Sequence, residues 1–106
     1  MYVLVILKRG RNADTERLHA PAHEAFITSL IKRNAVLLGG ALANAIDDAV
    51  AAYVLRCEDV EQARRIASHD PFAQNEVVQA VCVPWDLVGI NPDAIDCSAV
   101  IRARDA

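Results

Sequence analysis

The chain has 106 residues, 54% of them hydrophobic, and a formal charge of −3, which suits one domain around one core. Its eleven Lys and Arg are dispersed, which argues against the clustered cations that grip nucleic-acid phosphates. No apolar run approaches the ~18 residues of a membrane span. Cys57, Cys82 and Cys97 are odd in number and form no C-x-x-C pair, so neither a disulfide framework nor a zinc ribbon is supported.

The N-terminus lacks the basic start and small-residue cleavage site of a secretory signal, and a reducing cytoplasm is the expected setting. Tyr2 to Leu7 is a run of Val, Leu and Ile that reads as a strand buried on both faces, closed by Lys8-Arg9-Gly10. Polar residues from Arg11 to Glu16 read as a loop. Pro21 then suits the opening turn of a helix, where its missing N–H has no partner to lose. That helix runs to about Arg33, with Phe26, Ile27, Leu30 and Ile31 as its apolar stripe. Stepping back three or four residues places His23 at the first turn of the buried face.

Asn34 is a helix stop, and Ala35 to Gly40 reads as a second strand that relaxes at its glycine pair. Asp47-Asp48 marks a turn, and Val50 to Cys57 a third strand. Asp59 with Gln62 resembles a capping box that opens a second helix ending near Ser68. Asp70-Pro71 starts a short turn, and Val77 to Val88 is a fourth strand in which Pro84 points to a sheet edge or a bulge. In the tail, 91–106, Ser98-Ala99-Val100-Ile101 reads as a further short strand. The whole chain, 1–106, is one domain with its core over about 2–90.

The order β-α-β-β-α-β is the split βαβ arrangement of an α+β, ferredoxin-like fold with an antiparallel sheet. Helices cover one face of such a sheet, yet these strands alternate apolar with apolar. A monomer would leave a wide apolar face in water, so two copies are expected to pack sheet against sheet. The other way to cover that face is with the tail.

Two residues stand out for chemistry. At a helix start, His23 would feel the positive end of the helix dipole, which keeps an imidazole neutral and available as a base. Asp70 follows the second helix, on the same side of the sheet, and a carboxylate there would fix the ring's tautomer and stabilise its cation. The plainer readings are a core-edge histidine bonded to a backbone carbonyl and an ordinary N-cap before Pro71. His19 and His23 are four apart, a metal-ligand spacing on a continuous helix, but Pro21 between them argues for a break, and no metal is expected. His69 reads as an exposed helix-end residue. Gly39-Gly40 lacks the pattern of a phosphate loop and instead permits close backbone approach, so Gly39 and Gly40 are candidate walls of a pocket beside His23. Phe72, beside Asp70, is a candidate for the same wall. The cysteines read as packing residues, because none has a base beside it.

Taken in order, Tyr2 to Leu7, Ala20-Pro21-Ala22-His23, Val36 to Leu42, Asp59 to Ala63 and Asp70-Pro71-Phe72 resemble the YCII-related (YciI-like) family over about residues 2 to 90. The resemblance implies a ferredoxin-like fold that pairs into a dimeric α/β barrel, and an active-site His–Asp pair at His23 and Asp70. It implies a cofactor-independent small-molecule enzyme, with relatives linked to elimination or isomerisation of cyclic and aromatic compounds. Ala20 departs from the Arg that precedes Pro-x-His in many relatives, and Ala41 from the Pro that follows Gly-Gly. Arg17 is the nearest substitute for the missing cation. The competing reading is a non-catalytic dimeric module that binds a ligand or a partner.

Overall fold

A computed structural model describes residues 1–98 and residue 100. Four strands form one antiparallel sheet in the order β2-β3-β1-β4: β1 is Tyr2–Arg9, β2 Val36–Ile46, β3 Ala49–Arg56 and β4 Val78–Trp85. The helices α1 (Glu16–Lys32), α2 (Val60–Ser68) and α3 (Pro71–Gln74) complete a ferredoxin-like α+β fold. Short 3₁₀ turns occupy Ala13–Thr15 and Pro92–Ala94.

Alternation along the strands sorts the core. Val3, Val5 and Leu7 of β1 face the helices, and their partners across the ladder, Leu55 and Tyr53, share the buried layer. Ala63 and Ala67 of α2 are buried against this layer, their small side chains letting the helix approach. Tyr2, Leu4 and Ile6 point the other way, in a row with Trp85, Val83 and Val81 of β4. Trp85 keeps 45% of its surface exposed and Leu38, on the same face of β2, 53%. The described part of the tail leaves these side chains in solvent.

Local chemistry explains most element ends. Asn34 takes a left-handed φ of 58°, and the amides of Asn34 and Ala35 bond back to Ile31 and Leu30, a Schellman ending of the kind asparagine supports. Asp47 and Asp48 have φ values of 50° and 65°, the left-handed pair that a two-residue type I′ hairpin needs. Asp59 caps α2 by accepting from the Gln62 amide at 2.8 Å. Pro84 lies on β4, which pairs only with β1 and so loses no ladder bond on its free side.

The structure corrects three sequence expectations. First, α1 begins at Glu16, not at Pro21, which lies inside the helix. Pro21 is exposed and costs the helix one early bond, the donor to the Arg17 carbonyl, which water can replace. Second, β2 runs on to Ile46, so the glycine pair lies within a strand and does not end it. Third, β4 stops at Trp85. The expected strand from Ser98 falls partly outside the described residues; Ser98 itself is in a turn.

Candidate active site

His23 projects from α1 toward the start of α3, where Asp70 is the N-cap. Asp70 is completely buried, and one of its oxygens serves two donors. Oδ1 accepts the Phe72 amide at 2.9 Å and the His23 Nδ1–H at 2.8 Å, while Oδ2 lies 3.0 Å from the same ring nitrogen. The cap and the pair with His23, alternatives when read from sequence, are therefore two uses of one carboxylate. A carboxylate only accepts, so Nδ1 carries a proton, and in the neutral ring the lone pair lies on Nε2. The His23 side chain is 18% exposed, enough to meet a solute.

The segment Asp70-Pro71-Phe72 has one task per residue. Asp70 caps, Pro71 occupies the first helical position where no donor is needed, and Phe72 stacks on the imidazole, with centroids 4.0 Å apart and planes within 7°. Stacking and the bond to Asp70 hold the ring from one face and one edge. The helix-dipole argument for His23, in contrast, does not survive: the ring is carried in the third turn of α1, beyond the reach of the N-terminal field. What sets its proton is the carboxylate.

Beside the ring lies a cavity of about 460 Å³, a volume suited to a small organic molecule. Ala20, His23 and Ile27 wall it from α1, Gly39 and Gly40 from β2, and Phe72 from α3. The two glycines differ. A Cβ on Gly39 would come 2.5 Å from the Cβ of its ladder partner Tyr53, whereas a Cβ on Gly40 would meet nothing within 4 Å. Gly39 is thus required by the close approach of β3, where the Tyr53 Cβ and the Ala52 carbonyl leave no room for a side chain.

Sequence reasoning missed two residues of this wall. Arg9 lines the cavity and pairs with Asp48 at 3.6 Å, while Arg17 is exposed and outside it. Arg9 looked like the polar end of a strand, and only the β2–β3 turn folding beside it gives it a place. Tyr53 was one aromatic among several, and its hydroxyl is buried without a hydrogen-bond partner. Burial and the negative charge of Asp70 push its pKa well up, so the phenol stays protonated. Cys57 and Cys82 are pushed up by burial as well, which suits packing rather than nucleophilic thiols. His19 and His23 share one helix, but among the described residues no three His, Cys, Asp or Glu side chains gather as metal ligands. His69 is exposed at the end of α2.

No curated protein matches the chain. Among solved structures, it is similar to the 5-chloro-2-hydroxyhydroquinone dehydrochlorinase (TftG) of Burkholderia phenoliruptrix AC1100 in complex with 2,5-dihydroxybenzoquinone. The TM-score is 0.65 at 17% identity, over 81% of this chain and 94% of the other, a likeness of fold. The YCII-related domain matches residues 1–85, and with the His23 segment, the glycine strand and Asp70-Pro71-Phe72 all inside that span, the chain belongs to the YCII-related family.

Proposed function

We propose that this protein is an enzyme that moves a proton on a small cyclic or aromatic molecule, by elimination or isomerisation, with His23 as the base and Asp70 as its orienting partner. The observation that carries this reading is the bond of His23 Nδ1 to a wholly buried carboxylate at the wall of a cavity, which directs the lone pair of the neutral ring to Nε2. In the proposed step Nε2 takes a proton from a substrate O–H or from a C–H beside a carbonyl, and Asp70 stabilises the imidazolium that results. The electron pair left on the substrate either expels a leaving group or draws the proton back at a neighbouring atom. His23 is neutral again once that proton has left with the leaving group or been delivered to the neighbouring atom of the substrate. The dehydrochlorinase of similar fold, named for an elimination on a hydroxylated ring, supports this choice of substrate class. Gly39, Gly40 and Phe72 are proposed as the walls against which the ring lies.

We further propose that the chain works as a homodimer, packed through the open face of the sheet. The support is the apolar row of Val81, Val83 and Trp85 beside Leu4 and Ile6. A reducing cytoplasm is the proposed setting, which the three unpaired cysteines favour. No helix among the described residues is long and apolar enough to cross a membrane.

The test is turnover of a panel of substituted hydroquinones and cyclic lactones by the wild type and by His23→Gln. The expected result is conversion by the wild type and a loss of about 10²–10⁴-fold in the variant. Equal turnover by the two proteins would remove His23 from the mechanism. In parallel, 2,5-dihydroxybenzoquinone is expected to raise the melting temperature of the wild type, since a ligand that binds only the native state stabilises it.

A further inference from the structure

The mechanism above uses His23 and Asp70 and leaves one buried polar group without a task. Tyr53 is 3% exposed, and its hydroxyl has no hydrogen-bond partner. A buried donor of this kind is costly, and a phenylalanine would fill the same space without that cost.

The position of Tyr53 narrows what the hydroxyl is for. It lies on β3 in the row that crosses β1 at Val5 and reaches β4 at Cys82, beneath the helices, and it contributes to the wall shared by His23 and Phe72. The charged group that acts on the phenol most strongly is the Asp70 carboxylate. Asp70 has capacity to spare: Oδ1 serves two donors, while Oδ2 has only the longer contact with His23. An unspent donor and an under-used acceptor thus occupy one buried region.

We infer that Tyr53 is a positioning residue for the His23–Asp70 pair, its hydroxyl linked to Asp70 through one bound water and moderating the carboxylate's hold on the His23 proton. A hydroxyl dipole aimed at the carboxylate draws on its charge and brings its positive end toward the imidazole. Both effects disfavour the imidazolium and favour the free base. The purpose of the tuning rests on the proton-transfer reading, but its existence does not, and the test needs no substrate.

In the ligand-free protein, the His23 ring is followed by NMR through a pH titration in the wild type and in Tyr53→Phe. The expected result is an upward move of the His23 midpoint by about half a unit, the effect of losing one neutral hydrogen bond. The melting temperature is expected to hold or rise, because the ring is kept and no protein group loses a direct partner. An unchanged His23 midpoint overturns the inference, and so does a fall in melting temperature, which would mean that the hydroxyl serves the fold. Asp70→Asn gives an independent arm: the late phenol transition seen by ultraviolet absorbance is expected to come down toward its ordinary value. If it stays where it is in the wild type, the two groups do not interact and the inference fails. Failure here leaves the turnover experiment untouched, and a failed turnover experiment leaves this titration interpretable.

Discussion

The two faces of the sheet are built from the same strands and nearly the same residue types, yet they meet different surroundings. On the helix side, Val3, Val5 and Leu55 are fully enclosed, and the same layer carries Tyr53, which lines the cavity together with His23. On the open side, Leu38, Val83 and Trp85 remain in solvent. Apolar residues on both faces of a strand therefore do not say which face makes the core. The helices decide that, because α1, α2 and α3 all lie on one side.

This contrast is broken most severely from the helix side. Leu55→Ala opens a cavity in a layer that has no slack, and the expected loss is about 2–5 kcal/mol by urea unfolding. On the open side, Val83→Asp is expected to leave the fold intact and to change the mass measured by sedimentation from dimer to monomer. A wild type that sediments as a monomer would mean the open face has another purpose.

The next largest effect belongs to Asp70. Asp70→Ala removes the α3 cap and strands the His23 Nδ1–H and the Phe72 amide in a buried place. The expected loss is about 2–4 kcal/mol, more than the ~1 kcal/mol of a simple cap. His23→Ala should cost less in the Asp70→Ala background than in the wild type, and the difference, read by a double-mutant cycle, is the coupling of the pair. Strict additivity would mean that the bond does not form in solution.

Much of this was legible in the sequence, for reasons that residues make plain. Asn34 declares a helix end because asparagine tolerates the left-handed backbone, and Asp59 and Asp70-Pro71 declare helix starts because the carboxylates satisfy backbone amides locally. His23 and Asp70 were legible as candidates, but their bond spans 47 positions and follows only from the packing of α1 on α3. Pro21 misled, since a helix tolerates proline past its first turn where solvent reaches the orphaned carbonyl. The extent of β2 was hidden by its glycines, which usually weaken a strand, although Gly39 here allows β3 to approach closely at Tyr53. Nothing in the order of residues marks a hydroxyl without a partner.

The glycine pair sharpens the comparison at smaller scale, because Gly39 pairs with Tyr53 on the helix side and Gly40 with Ala52 on the open side. Gly39→Ala forces a backbone or ring shift, with an expected cost of about 1–3 kcal/mol. Gly40→Ala is expected to stay within about 0.5 kcal/mol of the wild type. Both are read by thermal or urea melting. Equal costs would mean that the strand, rather than Tyr53, demands the glycines.

The smallest effect is one of pH, and its sign follows from Tyr53. The folded phenol is held protonated by burial first and by Asp70 second, above its ordinary value of 10.0. A group whose folded value is raised contributes stability that is fully present below the unfolded value and is lost as pH climbs toward the folded one. Stability should therefore fall above pH 10, by about 1 kcal/mol one pH unit further on. Cys57 and Cys82, also raised by burial, add losses of the same sign from their ordinary value of 9.0. The phenol's share is isolated by comparing wild type with Tyr53→Phe, whose alkaline loss should be the shallower of the two. Parallel curves would mean that the Tyr53 hydroxyl reaches water in solution, and the enclosed helix side would then be more open at this point than the packing of Gly39 against Tyr53 requires.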